Sequence, residues 1–204
     1  MLSAAHADPA VHDFDYVAKN LFWNDLYAYG GWTLFCGYRF NGSRETLQHR
    51  PVEIMHIYPT MAMLRDNGCR SRMQCREEGN KRFIQMEADM HNMYPVIQDI
   101  LVPVSEPRYG MVKGEHWRFD DCDYERSGGI VEPRPVARGN IARALFYMQY
   151  RYGVKLEPQL LPTLRRWNRA DPPSRQEKLR NDRIEALQGG RNPYIDKPSM
   201  ADRE

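Results

Sequence analysis

Between residues 96 and 137 the chain is broken by four prolines and four glycines: Pro103, Pro107, Gly110, Gly114, Gly128, Gly129, Pro133 and Pro135. Proline lacks the amide donor that helix interiors and central strands need, and glycine weakens both. No long regular element can cross this stretch, so helical periods are confined to its two sides. On the far side, Ile141, Leu145, Met148 and Tyr152 share one face of a helix from Arg138 to Tyr152. Two more helices follow, at Pro158 to Asn168 and at Arg175 to Gln188, the last stopped by Gly189-Gly190. On the near side, an aromatic-rich helix starts around residue 13 and ends at Gly30-Gly31. A second amphipathic helix, from 82 to 93, carries Phe83, Met86, Met90 and Met93 and is closed by Pro95. Short β candidates lie at Thr33 to Phe40 and Pro51 to Pro59, and residues 60 to 80 read as irregular. Helices gathered at one end, without alternation with strands, define an α+β chain. A single domain over 1–204 is expected, with 1–12 and 195–204 as flexible termini.

Charge separates along the same line. The total is only +2, from 29 Lys+Arg and 27 Asp+Glu. Arg138 to Arg191 holds 12 basic and 5 acidic residues, so it carries +7 and the rest of the chain −5. Such a run is either a set of solvated helix faces or a wall that attracts a polyanion. No stretch has the roughly 20 apolar residues of a membrane span. No basic n-region or apolar h-region is visible, although Ala5-His6-Ala7-Asp8 has the A-x-A form of a cleavage-site remnant. Four cysteines permit two disulfides, four thiols or a zinc site, and they lack the paired C-x₂₋₄-C spacing of zinc.

Two histidine segments could carry chemistry. Val52 to Pro59 places His56 at the end of a strand candidate, and Met86 to Pro95 places Asp89, His91 and Asn92 at the end of a helix. A strand imidazole beside a helix-borne amide can activate water next to a metal-bound phosphate. A satisfied core histidine and a helix-capping asparagine fit the same spacing.

Several ordered motifs then coincide: Phe35-Cys36-Gly37, Val52 to Pro59, Met86-Glu87-Ala88-Asp89-Met90-His91-Asn92, Arg138-Gly139-Asn140-Ile141-Ala142-Arg143 running into Phe146-Tyr147-Met148, and Asn192-Pro193-Tyr194. With them, the chain resembles the bacterial endonuclease I family over Tyr27 to Tyr194. These are periplasmic or secreted nucleases of the ββα-metal (His-Me finger) class that cut DNA and RNA with little sequence preference. The resemblance implies a ββα-metal core surrounded by helices. It implies His56 as the base that activates water, Asn92 as a ligand of Mg²⁺ (or Mn²⁺ or Ca²⁺), Arg72 beside the scissile phosphate, and a 5′-phosphate product. Arg70, Arg138 and Arg143 would contact nucleic acid. The pairs Cys36–Cys122 and Cys69–Cys75 are implied, and with them an oxidising compartment. The partners are DNA and RNA, with no membrane, and the chain would act as a monomer.

One position departs from the family. The residue before the base is usually a metal-binding Glu, and here it is Met55. A thioether cannot replace a carboxylate on Mg²⁺. Three readings follow: Asn92 and waters hold the ion alone, Glu53 compensates from two residues away, or catalysis is lost and the protein binds nucleic acid without cutting it.

Overall fold

In a computed structural model, residues 13–101 and 107–204 are described. The expected N-terminal flexible segment, the Ala5-His6-Ala7 pattern and Pro103 lie outside them. Helix α1, Phe14–Tyr16, is capped by the Asp13 carboxylate and runs straight into a wider π-helical segment, Val17–Leu26. That segment buries Val17, Phe22, Trp23 and Leu26. The β candidate at 33–40 keeps only its last two residues, as β2 (Arg39–Phe40), which pairs antiparallel with β1 (Gly31–Trp32) just before the candidate begins. Between them the chain turns back so tightly that the Thr33 hydroxyl accepts from the Tyr38 amide.

Strand β3, Val52–His56, pairs antiparallel with β4, Met93–Ile97, so that Met55 faces Tyr94 and His56 faces Met93. Pro95 sits inside β4 rather than closing a helix. Pro95 turns its backbone to the outer edge of the ladder, where its carbonyl accepts from the Leu34 N–H at 2.8 Å, so the missing proline N–H costs no pairing with β3. The link from β3 to β4 is helical, which corrects the irregular reading of 60–80. It contains α2 (Thr60–Asp66), α3 (Arg72–Glu77) and α4 (Lys81–Ala88). α2 and α3 are too short to show a period, and each is held from outside. α2 buries Ala62, Met63 and Leu64, while α3 is capped by Ser71 and tied by the Cys69–Cys75 disulfide. α4 ends at Ala88, five residues before the expected end at 93. Asp89 is extended there and caps a separate 3₁₀ turn, Met90–Asn92.

Helix α5, Gln98–Leu101, follows β4 directly and packs beside both β3 and β4. The punctuated region then forms β5 (Arg108–Tyr109), β6 (Glu125–Ser127) and β7 (Ile130–Glu132), arranged β5-β7-β6. The Cys36–Cys122 disulfide joins this region to the β1–β2 turn across 86 positions. Closing a loop of that length stabilises the fold by about 4–5 kcal/mol in the chain-entropy model.

The C-terminal half packs around α6, Pro135–Tyr152, which starts with Pro at N1 and stops at left-handed Gly153. α7 (Leu161–Ala170), α8 (Arg175–Gln188) and α9 (Pro193–Asp196) surround it. The motif at 138–143 is explained by this packing. A Cβ on Gly139 would lie 2.0 Å from the Asp171 carbonyl, so only glycine permits the approach of the α7–α8 link. Arg143 is fully buried, forks onto Glu177 at 2.7 and 2.6 Å, and donates to the Asp171 carbonyl at 2.7 Å. It cannot reach nucleic acid, which corrects that assignment. The tail is also corrected. Residues 195–204 form the end of α9 and a 3₁₀ helix, Pro198–Arg203, with Ile195 and Ala201 buried. Asn168 donates to the Pro198 carbonyl and Gln149 to Glu204, which fixes this segment onto α6 and α7.

Removing one partner of the buried pair leaves the other charge desolvated. Arg143→Met should therefore destabilise by about 3–5 kcal/mol, and Arg143→Met with Glu177→Leu should recover most of that loss. Urea denaturation of both variants measures it.

Candidate active site

His56 ends β3 at the floor of a cleft of about 240 Å³. Its Nε2 lies 2.7 Å from the Glu87 carbonyl oxygen. A carbonyl only accepts, so Nε2 carries the proton and Nδ1 keeps its lone pair. Nδ1 faces the Thr60 hydroxyl at 3.5 Å, at the mouth of α2. Burial holds the imidazole below its ordinary pKa. The Glu87 carbonyl and carboxylate oppose this, and the Arg72 charge adds to it. His56 is thus a neutral base at neutral pH, with one nitrogen anchored and the other available.

Glu87 lies on the last turn of α4 and is fully buried. Its carboxylate binds Arg72 through one oxygen and Arg76 through the other, the latter at 2.8 Å. α3 places those two arginines one turn apart, on the face toward α4. Arg72 keeps 44% of its side chain exposed and borders the cleft beside His56. Phe14 of α1 covers both groups: its ring is 5.4 Å from the His56 ring, and the Arg72 guanidinium lies 4.9 Å over it. The sequence showed Phe14 only as part of an apolar stripe, and nothing in its spacing marks it for this site.

The other sequence assignments divide. Asn92 is fully buried, and its amide clamps one backbone residue. Oδ1 accepts from the Tyr58 N–H at 2.6 Å, and Nδ2 donates to the Tyr58 carbonyl at 3.0 Å. It does not line the cleft. Glu53 is exposed and is also absent from the cleft wall. Met55 does line it, together with Ile54, Met61, Ile100 and Leu101. The polar side chains on that wall, among the described residues, are His56, Thr60 and Arg72.

A divalent ion of the kind the family resemblance implies needs several hard oxygen donors. Besides the His56 imidazole, the described wall offers the Thr60 hydroxyl as its one side-chain oxygen, among a thioether, aliphatic carbons and a cation, so these residues do not fit such an ion. Arg70 is exposed on the Cys69–Cys75 loop. Arg138 stands away from the cleft, with its guanidinium on Glu132 and the Pro133 carbonyl at 2.6 and 2.9 Å. The basic run is partly neutralised in the same way, since Arg191 binds Asp182, Glu185 and Asp196, and Arg169 binds Asp202.

The family model for Endonuclease I matches residues 10–199. An extracellular deoxyribonuclease of Aeromonas hydrophila is 29% identical, covering 95% of this chain and 91% of its own length. A second Aeromonas hydrophila extracellular deoxyribonuclease is 30% identical, covering 79% of this chain and 72% of its own. An extracellular ribonuclease of Bacillus amyloliquefaciens is 40% identical over a shorter region, 37% of this chain and 32% of its own length. The chain belongs to the endonuclease I family. No helix among the described residues is long and apolar enough to cross a membrane.

If Asn92 serves the Tyr58 backbone, Asn92→Ala strands two buried peptide groups and should cost about 2–5 kcal/mol. Asn92→Asp should also destabilise, because its second oxygen would face the Tyr58 carbonyl. Thermal or urea denaturation measures both, and a ligand role alone would leave stability in metal-free buffer unchanged.

Proposed function

We propose that this protein is a secreted or periplasmic endonuclease that hydrolyses phosphodiester bonds of DNA, and of RNA, slowly because its metal centre is incomplete. The observation that carries the reading is the His56 tautomer, anchored through Nε2 to the Glu87 carbonyl with Nδ1 open to the cleft. Nδ1 takes a proton from water as the oxygen attacks phosphorus. The P–O3′ bond breaks, the 3′-oxygen is protonated by solvent, and the 5′-phosphate stays on the other fragment. Arg72 stands where a guanidinium can pair with a phosphate oxygen, although it must share its charge with Glu87. Two disulfides and relatives that are extracellular or periplasmic deoxyribonucleases support an extracytoplasmic setting.

A second reading, binding without cutting, is favoured by the donor set of the cleft: Met55 on the wall and the Asn92 amide committed elsewhere. Supercoiled plasmid incubated with Mg²⁺ or Mn²⁺ separates the two. Nicking is expected, and His56→Ala should lower its rate by about 10²–10⁴-fold. Met55→Glu should raise it in Mg²⁺. A plasmid left intact by the native chain and cut by Met55→Glu would establish the second reading instead. A plasmid left intact by both would sink the first.

The pH dependence follows from the direction of the His56 shift. Burial disfavours the imidazolium, so the base form persists to a pH below the ordinary histidine value of about 6.5. Nicking should rise with pH, reach half of its plateau below that value and stay flat from pH 7 to 8. A midpoint above it, read from a rate–pH profile, would contradict this environment for His56.

A further inference from the structure

Away from the His56 cleft, the loop that ends in the long-range disulfide gathers three carboxylates. Among the described residues, Glu115, Asp123 and Glu125 form the one group of three or more His, Cys, Asp or Glu whose ligand atoms all lie within 4.8 Å of one another. The chain builds this deliberately tight arrangement from the disulfide outward. Cys122 is bonded to Cys36, and Tyr124 is buried with its ring edge-on to Phe35 at 5.4 Å. Asp123 and Glu125 flank Tyr124: the Tyr124 amide donates to the Cys122 carbonyl at 2.7 Å, which turns the chain at Asp123, and Glu125 opens β6. The Arg118 amide donates to the Tyr124 carbonyl at 2.8 Å, and this folds the 115–118 segment back over them and brings in Glu115.

Glu125 supplies the second observation. It is 2% exposed, one carboxylate oxygen accepts from the His116 amide at 3.2 Å, and the other, Oε2, is buried without a hydrogen-bond partner. Its cross-strand neighbour Glu132 is instead satisfied by Arg138 and the Val112 amide. A desolvated, unpartnered carboxylate oxygen beside two further carboxylates is unfavourable unless a cation joins them. Burial first, then the charges of Glu115, Glu132 and Asp123, push the Glu125 carboxyl above the usual range, against the His116 amide that lowers it.

We propose that Glu115, Asp123 and Glu125 form a Ca²⁺ site that fixes this loop to the Cys36–Cys122 disulfide. Oxygens on opposite sides of one Ca²⁺, each at about 2.4 Å, are about 4.8 Å apart, so the whole cluster fits around a single ion. All donors are hard oxygens, which suits Ca²⁺ and excludes a zinc-type nitrogen and sulfur set. A loop site with one exposed carboxylate fits the weak binding of extracellular modules, with Kd of about 10⁻⁴–10⁻³ M. The site is independent of the His56 cleft and of the nuclease reading.

Trp117 makes the test specific, because its indole Nε1 donates to the Glu115 carboxylate at 3.3 Å. Tb³⁺ titrated into the intact, disulfide-bonded chain under tryptophan excitation should give saturable luminescence that Ca²⁺ displaces. Trp117→Phe should remove most of that signal while leaving the rise in melting temperature caused by millimolar Ca²⁺. Glu125→Gln and Asp123→Asn should each weaken Tb³⁺ binding at least tenfold and abolish the Ca²⁺ shift. In EDTA, Glu125→Gln should melt no lower than the native chain, because the amide keeps an acceptor for the His116 N–H and removes an unpaired charge. A Tb³⁺ signal that survives both carboxylate variants, or no Ca²⁺ effect on melting of the native chain, would overturn the proposal.

Discussion

The Glu87 carboxylate, sealed between two arginines, is the contact on which the candidate site depends. An ion with 1% side-chain exposure must have its charge balanced close by, and Arg72 and Arg76 do this from consecutive turns of one short helix. The pairing sets the position of α3 against α4, because neither guanidinium can leave without stranding the acid. The same residue's backbone carbonyl receives the His56 Nε2 proton. One residue thus fixes the tautomer of the base and the position of the cation beside it. A helix this short has little stability of its own, so its place follows from the Ser71 cap, the Cys69–Cys75 bridge and this ion pair.

The break in the second histidine segment has a comparable cause. Asp89 accepts from the Tyr147 and Tyr152 hydroxyls, both at 2.8 Å, from Gln188 at 2.8 Å and from the His91 amide at 2.9 Å. Serving all of these partners requires the extended backbone that ends α4 and starts the 3₁₀ turn. His91 is then buried, held below its usual pKa by burial, and donates from Nε2 to the Gly190 carbonyl at 2.9 Å. Asn92 reaches Tyr58, one residue past the end of β3's neighbour Ile57. The segment that looks most chemical in the sequence therefore serves chiefly to join α4, α6, α8 and β3 into one frame, and it contributes to the site through Glu87.

Periodicity made the α6 and α8 helices, the β3 strand and the α+β class legible, because each is long enough or regular enough to show one buried face. It missed α2 and α3, whose stability comes from caps, a disulfide and an ion pair rather than from a stripe. It missed the ordered tail for the same reason: Tyr194, Ile195 and Ala201 are buried from two short separate turns that form no continuous stripe. Both disulfide pairs were legible through the motif series, which also drew attention to the His56 and Arg72 positions. Asn92 and Arg143 show that a motif marks that a residue type is needed without saying whether chemistry or packing needs it. A buried amide satisfied on both atoms and a buried guanidinium satisfied by Glu177 are structural answers that only partners reveal.

Met55 takes on a different meaning in this setting. A carboxylate at that position would stand against Ile54, Met61, Ile100 and Leu101, on a wall whose one other side-chain oxygen among the described residues is the Thr60 hydroxyl. Without an ion it would be desolvated, and Arg72, the cation on this wall among the described residues, is already committed to Glu87. The methionine instead continues the apolar surface, as a flexible thioether fits an irregular gap. The residue and the wall thus agree with each other, which an isolated substitution in an otherwise intact metal site would not do. The base and its anchor persist beside them, because the Glu87 carbonyl that holds His56 belongs to the ion-paired frame and does not depend on what stands at position 55.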